Sequence, residues 1–133
     1  MIDSLVLLAG LLHFALLPVS FSVPLVLDWK RELAPLSAFN RRIVWVHGAF
    51  IVLVIVGFGA LTLVERASMS PGLAAFIGLF WLARLGVQLF YYKPSEWPPG
   101  PLSVAGRLAT SALFAFWSAL YLSLAASAAL RAP

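Results

Sequence analysis

Four apolar stretches of about twenty residues each occupy nearly all of this 133-residue chain. Each is long enough to cross a hydrocarbon core of about 30 Å. Inside hydrocarbon every backbone N–H and C=O must find its partner within the protein, so such stretches have to be helices. The expected fold is therefore all-α: a four-helix antiparallel transmembrane bundle, forming one integral membrane domain over residues 1–133. The spans are expected at 4–27, 43–64, 71–92 and 104–130, with a short interfacial amphipathic helix between the first two. Composition agrees. The chain is 62% hydrophobic and 11% charged, less than half the charged share of an ordinary soluble domain, about 25%.

Local signals mark the helix ends. Met1–Ser4 carries Asp3 and no basic residue, so the first span is expected to be retained and not cleaved as a secretory signal. Pro18 and Pro24 predict a kink or loosening in its second half. Ser20 and Ser22 are candidates to bond the carbonyls set free there. In the connector, Trp29, Leu33 and Leu36 recur at helical spacing, with Lys30, Arg31 and Glu32 on other faces. That pattern suits a helix lying in the headgroup layer, limited to two turns or broken by Pro35. Asp28 is a candidate cap for it, and Asn40 for the second span. Ser70 followed by Pro71 reads as N-cap and first helical position of the third span. Four of the nine prolines fall in Lys93–Pro101, which predicts a stiff extended loop, with Ser103 capping the fourth span. Ala105, Ala109, Ala112, Ala115 and Ala119 give that span a surface permitting close helix approach. No repeat stands out between the two halves.

Charge sets the expected orientation. Lys30, Arg31, Arg41 and Arg42 flank the first connector, and Lys93 and Arg107 the third, against only Arg66 and Arg131 on the opposite side. The excess of Lys and Arg predicts that the first and third connectors are cytoplasmic and both termini are not, in a plasma membrane of bacterial type. The net charge of +4 sits at span ends, so the expected partner is the lipid bilayer with its anionic headgroups, and nucleic acid is not expected. With no cysteine in the chain, thiolate chemistry, disulfides and Cys-ligated metals are excluded.

The polar residues within the spans are the candidate site. Depths from the cytoplasmic end, at about 1.5 Å per residue, place His47 and Gln88 at about 6 Å. Arg84, Thr110, Ser111 and Ser20 fall at about 10–12 Å on the same scale. His13 is deeper, at about 20 Å, level with Trp117 and Tyr121. Arg84, Gln88, Tyr91 and Ile77 share one face at helical spacing, as do Thr110, Phe114, Trp117 and Tyr121. The candidate ligand-binding set is thus Arg84, Gln88, His47, Tyr91, Thr110, Ser111, Ser20, His13, Trp117 and Tyr121. No catalytic or metal-ligating set is assigned and no cofactor is expected.

Arg84 is the sharpest element of that set. A guanidinium does not deprotonate in proteins, and a charge near mid-span costs at least about 2.5–3.5 kcal/mol. No Asp or Glu lies in the apolar core of any span. Two readings follow: the side chain snorkels to the interface and braces the bundle, or it holds a phosphate, carboxylate or polarised carbonyl. For His47 the alternatives are interfacial bracing or proton transfer, and for His13 a bond to a hydroxyl or carbonyl or a cofactor role. One haem held by both imidazoles is disfavoured, because their depths differ by about 14 Å.

The four-span layout resembles that of small multidrug transporters, fluoride channels and the membrane-associated eicosanoid and glutathione enzymes. The functional residues differ. Where the transporters carry a glutamate midway along the first span, this chain has His13. The second-span Arg–Asn–Glu signature of the enzymes is not matched by the stretch from Asn40 to His47, although Arg84 with Tyr91 or Tyr92 echoes their third span. The leading expectation is a non-catalytic membrane protein. It would bind an amphiphilic, lipid-like ligand around Arg84, or act as an accessory subunit or homo-oligomer. The alternative is a membrane enzyme on a lipophilic substrate, with Arg84 stabilising negative charge and His47 as acid/base; haem binding or transport rank below it.

Overall fold

In the computed structural model residues 2–130 are described, and all regular structure among them is helical. Arg131, counted above for orientation, lies outside the described residues, as does Met1. The elements are α1 (Ile2–Ala15), α2 (Leu17–Val26), α3 (Trp29–Glu32), α4 (Ala38–Val64), α5 (Pro71–Gly86), a π-helical turn (Val87–Tyr91), a 3-10 turn (Pro94–Glu96) and α6 (Pro101–Ala129). Four stretches are long and apolar enough to cross a membrane: Ile2–Val26, Ala38–Val64, Pro71–Tyr91 and Pro101–Ala129. By length and composition this is a membrane protein.

The chain divides between Ala67 and Ser68 into two compact units. The first unit is a hairpin of α1 and α4. Gly10 lies against Thr62 and Leu63, and Gly59 against His13 and Phe14. Residue numbers rise on one helix as they fall on the other, so the two run antiparallel. In the second unit Gly78 meets Leu122, Trp81 meets Trp117 and Gln88 meets Ser111. The same inverse order makes α5 and α6 an antiparallel pair.

One packing pattern recurs in all four long helices. α1 buries Val6, Ala9, Gly10 and His13, and α4 buries Ile55, Phe58, Gly59 and Thr62. α5 buries Ala74, Ile77, Gly78 and Trp81, and α6 buries Phe114, Trp117, Ser118 and Tyr121. Each set falls at i, i+3, i+4, i+7, one stripe of a helix. The third position is glycine or serine every time. At the three glycines a Cβ would fall within 3 Å of the side chain of Leu63, Phe14 or Leu122 on the facing helix. The small residue is the hole into which that side chain packs, as van der Waals association in a membrane requires. The two hairpins therefore share a packing scheme that their residue identities conceal.

The first span is interrupted at Leu16, between α1 and α2, with Pro18 in the first turn of α2 and Pro24 inside it. Ser22 bonds the carbonyl of Val19, not one freed by a proline. Ser20, half-buried, has no side-chain hydrogen bond among the described residues. The connector helix is a single turn, shorter than the two turns its pattern predicts. Asp28 adopts a left-handed conformation (φ 45°) and makes no cap bond; its carboxylate pairs with Arg31 at 3.4 Å instead. Trp29 folds back edge-on to Trp45, centroids 5.2 Å apart, and Arg41 donates to the Ala34 carbonyl.

Two caps differ from expectation and one agrees. Ser37, not Asn40, caps α4, and the Asn40 amide is the donor it accepts from. α6 begins two residues before Ser103, behind Gly100 at φ 115°, with no side-chain cap. Ser70 caps α5 through the Leu73 amide, as its place before Pro71 implies. The loop of residues 93–100 is not extended throughout, because Pro94–Glu96 forms a turn that the Glu96 carboxylate closes on the Lys93 amide. The alanine row of α6 is exposed within the chain, and the face toward α5 is instead the aromatic and hydroxyl stripe.

The glycine holes are testable against a glycine that touches nothing. In Gly78→Ala the new Cβ would lie 2.8 Å from Leu122 Cγ and 3.0 Å from its backbone nitrogen. Overpacking of that kind costs about 1–3 kcal/mol, against a helix-propensity gain of about 1 kcal/mol. Thermal unfolding in detergent micelles should show a net loss for Gly78→Ala. Gly57→Ala, whose Cβ would meet nothing within 4 Å, should show none.

Candidate anion site at Arg84

The seam of the second hairpin carries most of the candidate residues. Gln88 is nearly fully buried, one helical turn beyond Arg84 on α5. Its amide nitrogen lies 3.1 Å from the Arg107 carbonyl, 2.9 Å from Thr110 Oγ1 and 2.7 Å from Ser111 Oγ. A carbonyl can only accept, so the Arg107 oxygen decides which end of the amide faces α6. Thr110 donates to Gly106 and Arg107 carbonyls, and Ser111 donates to the Arg107 carbonyl at 2.8 Å. Gln88, Thr110 and Ser111 thus form a bonded polar clasp between the helices. Their donors are already engaged, and what they do chemically is hold α5 and α6 in register.

Arg84 lies next to this clasp and outside it. Its guanidinium carbon is 5.3 Å from the centroid of Phe114 and 5.6 Å from that of Tyr92. Its Nη1 is buried and has no hydrogen-bond partner among the described residues. Each ring contact is worth about 0.5–2 kcal/mol, so two together offset a placement cost of about 2.5–3.5 kcal/mol. Ring faces satisfy the charge but not the directional N–H groups. A buried donor left unmade costs a further 1–3 kcal/mol or so, more when charged. The site is a cation with its electrostatics partly met and one buried donor, Nη1, unmet.

Behind Phe114 an aromatic stack continues inward. Trp81 lies 5.0 Å from Phe114 at 22° and 4.4 Å from Trp117. Trp117 and Tyr121 are both fully buried, so they form the packed wall of the hairpin and have no face open to a ligand.

Tyr91 is a correction. Straight-helix spacing puts it on the Arg84 face, yet it is 77% exposed, and Tyr92 takes the place over Arg84. The cause is the π-helical turn, in which the Tyr92 amide bonds the Val87 carbonyl five residues back. One additional residue in a turn rotates everything after it by about 100°. Phe114 and Tyr92 are the side chains that contact Arg84. Phe114 was legible as a member of the Thr110 face, whereas nothing in residue spacing announces the π turn.

The remaining candidates belong to the first unit. His13 is fully buried, with Nδ1 2.7 Å from the Ala9 carbonyl and its ring edge-on to Phe58. His47 is exposed, with Nδ1 2.8 Å from the Ile43 carbonyl. In both, the carbonyl partner requires the proton on Nδ1. Among the described residues no three His, Asp or Glu side chains gather in a way that could hold a metal ion. Comparison of the chain with protein-family models, with curated proteins and with solved structures finds no match in any of the three.

The clasp has a measurable worth. Side-chain hydrogen bonds between membrane helices contribute about 0.6 kcal/mol on average and up to about 1.7. Gln88→Leu should therefore destabilise the folded state by about 1–2 kcal/mol in a reversible denaturation series. Thr110→Val and Ser111→Ala should each cost less, because the amide keeps its other acceptors. Additive effects of Gln88→Leu and Ser111→Ala would show that the two are not coupled.

Proposed function

We propose that this protein is a four-helix antiparallel membrane bundle that binds an amphiphilic ligand, with the ligand's anionic or carbonyl head bonded to Arg84. The single observation that carries the reading is the buried Nη1 without a hydrogen-bond partner. Its chemical complement is an oxygen acceptor, best a carboxylate or phosphate oxygen, which pairs with a guanidinium through short charge-assisted bonds. The chain itself offers no acid in the apolar core of its spans, so the acceptor comes from a ligand or from a partner subunit's carboxylate.

The route to Nη1 follows from unequal burial of the two rings. Phe114 is 4% exposed and locked in the aromatic stack, whereas Tyr92 is 40% exposed and ends the π-helical turn. Tyr92 is the ring that moves aside. Orientation follows from the basic connectors, with Lys30, Arg31, Arg41 and Arg42 on the cytoplasmic face and both termini opposite. The Trp29–Glu32 turn then lies at headgroup level, where Trp29 against Trp45 suits an interfacial anchor.

Native mass spectrometry of protein released from mild detergent tests this directly. Wild type should carry a bound amphiphile or an acidic partner subunit, and Arg84→Leu should lose it by tenfold or more at unchanged helicity. Arg84→Lys, which keeps charge but not the planar fork, should retain part of it. A wild-type protein with neither adduct, or one equally retained by Arg84→Leu, would remove the proposal.

A further inference from the structure

At the loop end of the second hairpin lies a recess of about 320 Å³, lined among others by Trp97, Gly100, Ser103, Val104 and Arg107. That volume is at the lower limit of small-molecule sites, about 300–1,000 Å³; it suits a headgroup and not a whole lipid. Arg107 is the only ionisable side chain in its lining. The acid of this loop, Glu96, is turned away to close the 3-10 turn on the Lys93 amide. Its lining residues carry hydrogen-bond donors. Ser95 and Ser103 bring hydroxyls and Trp97 an indole N–H. Gly100 leaves its rim without a side chain, and α6 starts there uncapped. The first-turn amides of Leu102 and Ser103 have no carbonyl of their own helix to bond.

The Arg107 guanidinium is free for this task because the α5–α6 clasp uses only its backbone carbonyl. The recess lies where two stretches long and apolar enough to cross a membrane, Pro71–Tyr91 and Pro101–Ala129, are joined, a place that suits the level of headgroups. Trp97 on its wall packs against Tyr92 at 6.3 Å, a tryptophan placed as interfacial residues are.

We propose that this recess is a phosphate-binding site, taking the phosphodiester of an anionic lipid with Arg107 as its cation. The inference is independent of the reading of Arg84: it rests on another side chain, another cavity and another part of the ligand world, a bulk lipid headgroup.

Protein reconstituted in nanodiscs of phosphatidylcholine with phosphatidylglycerol, then ejected into native mass spectrometry, reads the site. Wild type should retain phosphatidylglycerol over phosphatidylcholine, and Arg107→Gln should lower that retention at least tenfold. Arg42→Gln, which removes the same charge from an exposed position, should change it less than twofold. Equal losses in Arg107→Gln and Arg42→Gln would reduce the effect to net charge and overturn the site. Should Arg107→Gln not fold, Val104→Glu, which sets a carboxylate in the recess from an exposed position, should abolish retention. Unchanged retention there would also overturn it. Glycerol phosphate added to phosphatidylcholine discs separates the sources: no retained adduct supports the lipid, and a stoichiometric adduct lost in Arg107→Gln assigns the same site to free phosphate.

Discussion

A permanent positive charge inside a low-dielectric layer needs electrons to face, and everything distinctive in the second hairpin is arranged around that demand. No acid lies in the apolar core of any span to pair with Arg84. Two aromatic faces take the place of a counter-ion, one from α6 and one from the end of the π-helical turn. The result leaves one buried donor, Nη1, without a hydrogen-bond partner among the described residues. A fully satisfied arginine would be a brace, and a fully exposed one would be an anchor; this one is neither.

The incompleteness depends on Gln88. Spaced one turn from Arg84, its amide oxygen is the natural acceptor for a guanidinium on the same face. Instead the residue turns toward α6, where three acceptors hold its nitrogen. The exchange ties the hairpin together at its loop end, as the glycine hole at Gly78 ties it farther from the loop. Without the register these two contacts impose, Phe114 would not lie opposite Arg84. Packing, polar satisfaction and the exposed chemistry of the site are three consequences of one helix alignment.

Much of this was legible beforehand, and the exceptions have physical causes. Apolar length alone located four long helices to within a few residues at most ends, because a backbone in hydrocarbon has so little choice. Arg84, Gln88, Thr110 and Ser111 stood out because polar groups in such segments are costly and few. Tyr91 was misplaced because spacing arguments assume 3.6 residues per turn throughout, and a single π turn breaks the count. Asn40 and Ser103 were reasonable caps by residue type, but Ser37 and Gly100 come earlier in the chain and start their helices first. The exposed alanine row shows the opposite limit: small residues permit close approach without saying which neighbour makes it. The repeated packing stripe was hidden because its positions share size at one place only, and hold residues as different as His13 and Trp81 elsewhere.

The π-helical turn has a cost that bears on its purpose. A five-residue bond ring is less favourable than the α-helical one, and such turns persist mainly where the altered register is used. Here the register decides which tyrosine covers the arginine. In a regular helix Tyr91 would occupy that face and Tyr92 would point elsewhere. The turn places the cover on the residue that follows the span, beside the proline-rich loop and in ring contact with Trp97. A covering ring held at the end of a helix has more freedom than one held in its middle, because fewer backbone bonds anchor it. The additional residue thus sets Tyr92, 40% exposed, and not Tyr91 over a donor that has no hydrogen-bond partner among the described residues.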